Sequence, residues 1–112
     1  MAMDDYHVVV FQILSYLYAC LKEGKEPDLS AMNNYKEEYG INARYWSYIW
    51  LHMMEDGLIE GAYAASIMNV EWKSVRFTDA LTITPKGITY LMENSMMEKI
   101  KRFGVGSVSG VA

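Results

Sequence analysis

Residues 40–61 read GINARYWSYIWLHMMEDGLIEG, and the fold turns on this stretch. Asn42 reads as a helix N-cap, since its short side chain can accept from the orphan amides of a first helical turn. Trp46, Ile49, Trp50 and Met53 follow at helical spacing and make one wide apolar stripe. Asp56-Gly57 stops the helix, glycine supplying the left-handed residue with which helices commonly end. Leu58-Ile59 then open a β-type run. A bulky helix stopped by Asp-Gly and continued by a hairpin is how a winged helix presents its third helix and its wing. The stretch predicts a fold and leaves the target open.

Upstream, a first helix is expected over about Asp4–Glu23, capped by Asp4 or Asp5, with acid placed to suit the helix dipole. It carries two apolar stripes: Val10, Leu14, Leu17 and Leu21, and beside them Val9, Ile13, Tyr16 and Cys20. A helix apolar on two faces is buried on two faces. One small domain is expected to cover one of them, and a second subunit the other. Gly24 ends the helix and Pro27 forbids its continuation. A second helix follows over about Ser30–Tyr39, capped by Asp28 or Ser30, with Met32, Tyr35 and Tyr39 on its inner face. Gly40-Ile41 turns it into the third, which is a helix-turn-helix arrangement.

Downstream, Leu58–Val70 has strand character, weakened at Gly61 and at Ala64-Ala65, so a bulge is expected there. Glu71–Ser74 holds the hairpin turn. Val75–Phe77 and Leu81–Ile83 return, with Thr78-Asp79-Ala80 as an irregularity between them. Thr84-Pro85 starts the last helix as N-cap and first-turn proline, and Ile88, Leu91, Met92, Met96 and Ile100 form a stripe reaching to about Arg102. Gly104–Ala112 is small, uncharged and Gly/Ser-rich, and reads as a flexible tail. The fold expected is α+β: a winged helix-turn-helix over residues 1–103, of order α-α-α-β-β-α, with a short strand near Asp28-Leu29.

Composition limits the function classes. At 112 residues and 52% hydrophobic, the chain is one domain that can build a core without disulfides or a structural metal. The lone Cys20 sits in an apolar helical run, reads as a small core residue and fits a reducing cytoplasm. Met1–Tyr6 is acidic, unlike a signal peptide. Val8–Leu21, broken by Gln12 and Ser15, is too short to span a bilayer. The formal charge is -4 and unevenly spread. Residues 1–41 carry -4, residues 42–84 carry -2, and residues 85–112 carry +2. His7, His52 and Cys20 have no metal-ligand spacing. No nucleophile elbow or Cys–His pair suggests an enzyme. No cofactor, metal site or catalytic residue is expected.

The segment Ile83–Arg102, ITPKGITYLMENSMMEKIKR, resembles the closing helix of the YjcQ family of small bacterial and phage proteins. Thr84, Lys86, Gly87, Tyr90, Leu91, Glu93 and Asn94 match that family's pattern, and Ser95-Met96-Met97 fits it. Gly40, Ile41, Asn42 and Trp46 fit its helix start. The resemblance covers roughly Tyr6–Phe103. It implies a winged-helix-like α/β domain, often prophage-encoded, and brings no catalytic residues with it.

Two readings of the third helix follow, DNA binding with a transcription-regulatory role first and a protein-interaction module as its alternative. In the first it enters a major groove of double-stranded DNA, in a regulatory role. Arg44 would fork onto guanine, Ser47, Tyr48 and His52 would reach bases or phosphates, and Lys73 and Arg76 near the wing tip would touch backbone. Against it, DNA binders carry a basic stripe on the contacting element, and here Glu55, Asp56 and Glu60 oppose three cations. In the second reading Tyr48 and Leu51 are apolar bulk on an exposed face, and the domain is a protein-interaction module. A homodimer is expected, with Tyr90, Met97 and Phe103 as interface candidates on the closing helix.

Overall fold

The computed structural model describes residues 2–94 of the chain. Its elements run α1 (Tyr6–Glu23), α2 (Leu29–Glu38), α3 (Ala43–Glu55), β1 (Ile59–Ala65), β2 (Ser74–Ile83) and α4 (Pro85–Glu93). Three helices, an antiparallel two-stranded hairpin and a closing helix make an α+β domain of winged-helix-like layout. No helix among the described residues is long and apolar enough to cross a membrane.

Local chemistry sets each boundary. Asp5 is the N-cap of α1, and Gly24 ends that helix in the left-handed conformation. Asp28 Oδ1 accepts from the Ser30 amide at 2.9 Å and caps α2. Asp28 and Leu29 are thus a cap and a first turn, and the short strand expected there does not form. The Asp28 amide is also taken, donating to Tyr16 Oη at 2.8 Å. Asn42 Oδ1 accepts from the Tyr45 amide at 2.9 Å, opening α3. Gly57, at φ 77°, turns the chain from α3 toward β1. Thr84 Oγ1 accepts from the Gly87 amide at 3.1 Å and donates to the Gly57 carbonyl, so the start of α4 is tied to the end of α3.

The core is built on the α3 stripe. Trp46, Ile49, Trp50 and Met53 are all buried, together with Val9, Val10, Ile13, Leu14 and Leu17 of α1. Trp46 and Trp50 meet edge to face at 5.8 Å, and Phe77 of β2 meets Trp50 at 4.7 Å. The Trp50 indole nitrogen is buried with no hydrogen-bond acceptor among the described residues. Both stripes of α1 are largely covered within this one chain, Cys20 included, and only Leu21 is left half-exposed. The expectation that α1 needs a partner subunit to cover its second stripe therefore loses its basis. Two tyrosines strap the chain's start across the helix pair: Tyr35 Oη donates to the Met3 carbonyl at 2.8 Å, and Tyr45 Oη to that of Asp4 at 2.6 Å.

The hairpin carries the expected irregularity. Ile59 and Glu60 pair with Ile83 and Thr82, after which the register shifts so that Ala62 faces Phe77. Gly61 stands alone against residues 78–81. It sits at φ 89°, and a Cβ there would overlap the backbone of Ala80 and Leu81. Thr78 Oγ1 fills the gap, donating to the Gly61 carbonyl at 3.2 Å and accepting from the Ala80 amide at 3.1 Å. In α4 Leu91 is buried and Ile88 half-buried, whereas Met92, expected on the inner stripe, is exposed. The expected extension to Arg102, with Met96, Ile100 and the interface candidates Met97 and Phe103, lies outside the described residues. So does the expected tail over 104–112.

Candidate interaction surface

The outward face of α3 follows from its own periodicity. With Trp46, Ile49, Trp50 and Met53 turned inward, Arg44, Tyr48 and Glu55 face solvent, and Leu51 and His52 sit at its half-buried margins. Tyr48 is the large side chain of this face, at 54% exposed. Its ring is held on two sides. His52, one turn on, lies 4.2 Å away at a tilt of 43°, and Tyr6 of α1 meets it edge-on at 6.2 Å. Tyr6 in turn stacks edge-on with His7 at 5.1 Å, and His7 Nδ1 lies 3.3 Å from Tyr90 Oη of α4. Five aromatic and imidazole rings from three helices thus form one continuous patch, which includes both histidines of the chain.

The electrostatics of the patch are acidic at one end. Glu55 Oε1 lies 3.5 Å from His52 Nδ1. Burial raises the Tyr6 hydroxyl above its ordinary pKa, and the charge of Asp56 adds to the effect. Burial alone raises Tyr90. Both hydroxyls therefore keep their protons at neutral pH and remain available as donors.

Of the residues the sequence singles out for DNA contact, Tyr48 and His52 are brought together on α3, and Arg44 is exposed at its first turn. Ser47 is not on this surface. It is 4% exposed, and its Oγ accepts from the Val75 amide of β2 at 3.2 Å. The hairpin folds back over that side of α3 and converts an expected recognition residue into a structural one. Arg76 is exposed on the hairpin, facing the half-exposed Tyr63 across the strands. Lys73 Nζ donates to Ser66 Oγ at 3.0 Å and closes the hairpin loop. At the tip Asn69 takes φ 64°, the Val70 amide donates to the Ile67 carbonyl at 3.2 Å, and Met68 stands 85% exposed. Tyr90, the one described interface candidate, is half-buried and engaged with His7. Leu51, expected as exposed bulk, packs partly against the core.

Sequence reasoning missed the joining of Tyr6, His7 and Tyr90 to the α3 face. His7 and Tyr90 are 83 residues apart, and no local pattern connects them. Over the whole chain ten Lys and Arg stand against fourteen Asp and Glu, a net of -4. Among the described residues no group of three or more His, Cys, Asp or Glu could hold a metal ion.

A helix-turn-helix followed by a wing-like hairpin and a capped closing helix defines a winged-helix-like protein. The family model described as YjcQ protein matches residues 11–104, and the chain belongs to that family. Comparison with curated proteins gave no match. Comparison with solved structures gave none either.

Proposed function

We propose that this domain is a protein-interaction module that docks through the outward face of α3. The observation that carries this reading is the ring patch of Tyr48, His52, Tyr6, His7 and Tyr90, with Tyr48 exposed at its centre. Tyrosine suits such a surface, since it offers a large apolar area and a polar tip at low entropic cost on immobilisation. Glu55 and Asp56 border the patch, so the partner it fits has an apolar cleft with a basic rim. An adaptor or phage-associated role is in keeping with such a module.

The DNA reading keeps one observation in its favour: Arg44, Lys73 and Arg76 are all exposed on the helix and hairpin that a winged helix would turn toward a duplex. Three cations on a chain of net charge -4 give it few phosphates to neutralise. With Ser47 withdrawn into the core, base readout is left to Arg44, Tyr48 and His52.

The test of the docking reading is paired substitution. Tyr48→Glu places a charge at the centre of the patch, and Tyr63→Glu places one on an equally exposed tyrosine of the hairpin. Affinity capture from the host, quantified against wild type, should lose a partner with Tyr48→Glu and keep it with Tyr63→Glu. Equal retention by both variants, or equal loss, refutes docking through α3.

A further inference from the structure

We propose that the domain binds a small, uncharged aromatic molecule in a cavity between α1, α2 and the start of α3. This proposal does not rest on the docking reading, and its test is independent of it. A half-open cavity of about 170 Å³ lies there. An apolar cavity of roughly 150 Å³ is large enough to take benzene. Ile13 of α1, Met32 of α2 and Trp46 of α3 form its buried floor. Tyr16 and Tyr35 are its half-buried walls.

The lining specifies the ligand. Among the described residues no Lys, Arg, Asp, Glu or His lines the cavity, so none of them compensates a charge taken out of water there. Three aromatic side chains offer ring faces and edges to a planar guest. Each tyrosine hydroxyl has one engagement, Tyr16 Oη accepting from the Asp28 amide and Tyr35 Oη donating to the Met3 carbonyl. The Gln12 amide is the lining group with both a donor and an acceptor to offer. The guest is therefore about six to nine non-hydrogen atoms, aromatic, with one hydroxyl or carbonyl for Gln12.

The position gives occupancy a consequence. Of the ten residues of α2, only Met32 is buried, so this helix is held by few core contacts. A guest touching Met32, Trp46 and Ile13 adds contacts between α2, α3 and α1. Filling the cavity fastens the loosely held second helix to the core, and a ligand that binds only the folded state raises its stability.

The probe is benzyl alcohol, titrated into the ¹⁵N-labelled full chain and followed by NMR and thermal melting. Saturable shifts are expected at the Trp46 indole and the Gln12 side-chain amide, with the Trp72 indole unmoved. The Tm should rise by about 5 °C at tenfold Kd. Ala31 stands exposed at the cavity rim, so Ala31→Phe puts a ring into the space from a position that tolerates it and should abolish both effects. Gln12→Leu should weaken benzyl alcohol several-fold and leave toluene unchanged. Benzoate, of the same shape with a charge, should not bind. Shifts that do not saturate, that appear equally at Trp72, or that survive Ala31→Phe overturn the site. Benzoate binding as well as benzyl alcohol overturns the ligand class.

Discussion

Replacing Ser47 by alanine tests how the hairpin is attached to α3. In the folded chain Ser47 Oγ accepts from the Val75 amide at 3.2 Å, and Ser47 and Val75 are 4% and 8% exposed. Ser47→Ala removes the acceptor and admits no water in its place. A buried amide left without a partner costs about 1–3 kcal/mol. Alanine returns about 0.5 kcal/mol as the better helix former, so the net loss is about 0.5–2.5 kcal/mol. For a domain of this size that lowers the Tm by roughly 2–15 °C. Urea unfolding should show a lower midpoint at unchanged slope, and hydrogen exchange should show the Val75 amide losing protection ahead of the α1 amides. A loss under about 0.3 kcal/mol, within the scatter of surface substitutions, with Val75 still protected, refutes the anchoring role and returns Ser47 to the surface.

Three further outcomes follow from the same packing. Trp46→Ala and Trp50→Ala, at 5% and 0% exposed, should each cost about 3–5 kcal/mol in denaturant melts, and losses below about 1 kcal/mol at both would remove the α3 stripe as the core. Gly61→Ala forces a side chain into φ 89° and into the backbone of Ala80 and Leu81; it should cost about 2 kcal/mol or more and shift the hairpin amides, and a wild-type melt would contradict the bulge. Burial, with Tyr39 and Asp4 nearby, raises the Tyr35 hydroxyl above its usual pKa. Because the folded state holds that proton longer than the unfolded chain, its stabilising contribution is full below about pH 10 and is lost as pH rises from there toward the folded value. Stability measured across alkaline pH should fall, and less steeply in Tyr35→Phe.

The parts of the fold legible in the sequence were those set by local chemistry. Asn42, Gly57 and the spacing of Trp46, Ile49, Trp50 and Met53 fix α3 through caps and a 3.6-residue period, and Thr84-Pro85 fixes the start of α4 in the same way. The hairpin irregularity was legible because Gly61 and Thr78-Asp79-Ala80 interrupt the strand pattern on both sides. What was not legible depends on distant contacts. A serine between Tyr48 and Trp46 looks solvent-facing until a strand 28 residues away covers it. Asp28 is legible as a cap of α2, and the Ser30 amide decides for that cap over the short strand expected at Asp28-Leu29. The two stripes of α1 suggested a partner subunit because periodicity counts apolar faces without saying that the hairpin and α4 of the same chain will cover them. In the candidate site, Tyr48 and His52 share one helix and were read together. Tyr6, His7 and Tyr90 join them through tertiary contacts alone.

The central claim, that the α3 face docks protein and does not bind DNA, is tested most directly by titrating the full chain into a labelled mixed-sequence duplex, followed by anisotropy. Backbone attraction is strongest at low salt, so about 50 mM and about 200 mM are the informative concentrations. The chain's net charge of -4 and the acids beside His52 predict no saturable binding at either. Saturable binding at low salt that falls steeply with added salt, loses about 1–3 kcal/mol in Arg44→Ala, and weakens on every sequence alike in Lys73→Ala or Arg76→Ala would contradict the claim and establish α3 as a recognition helix.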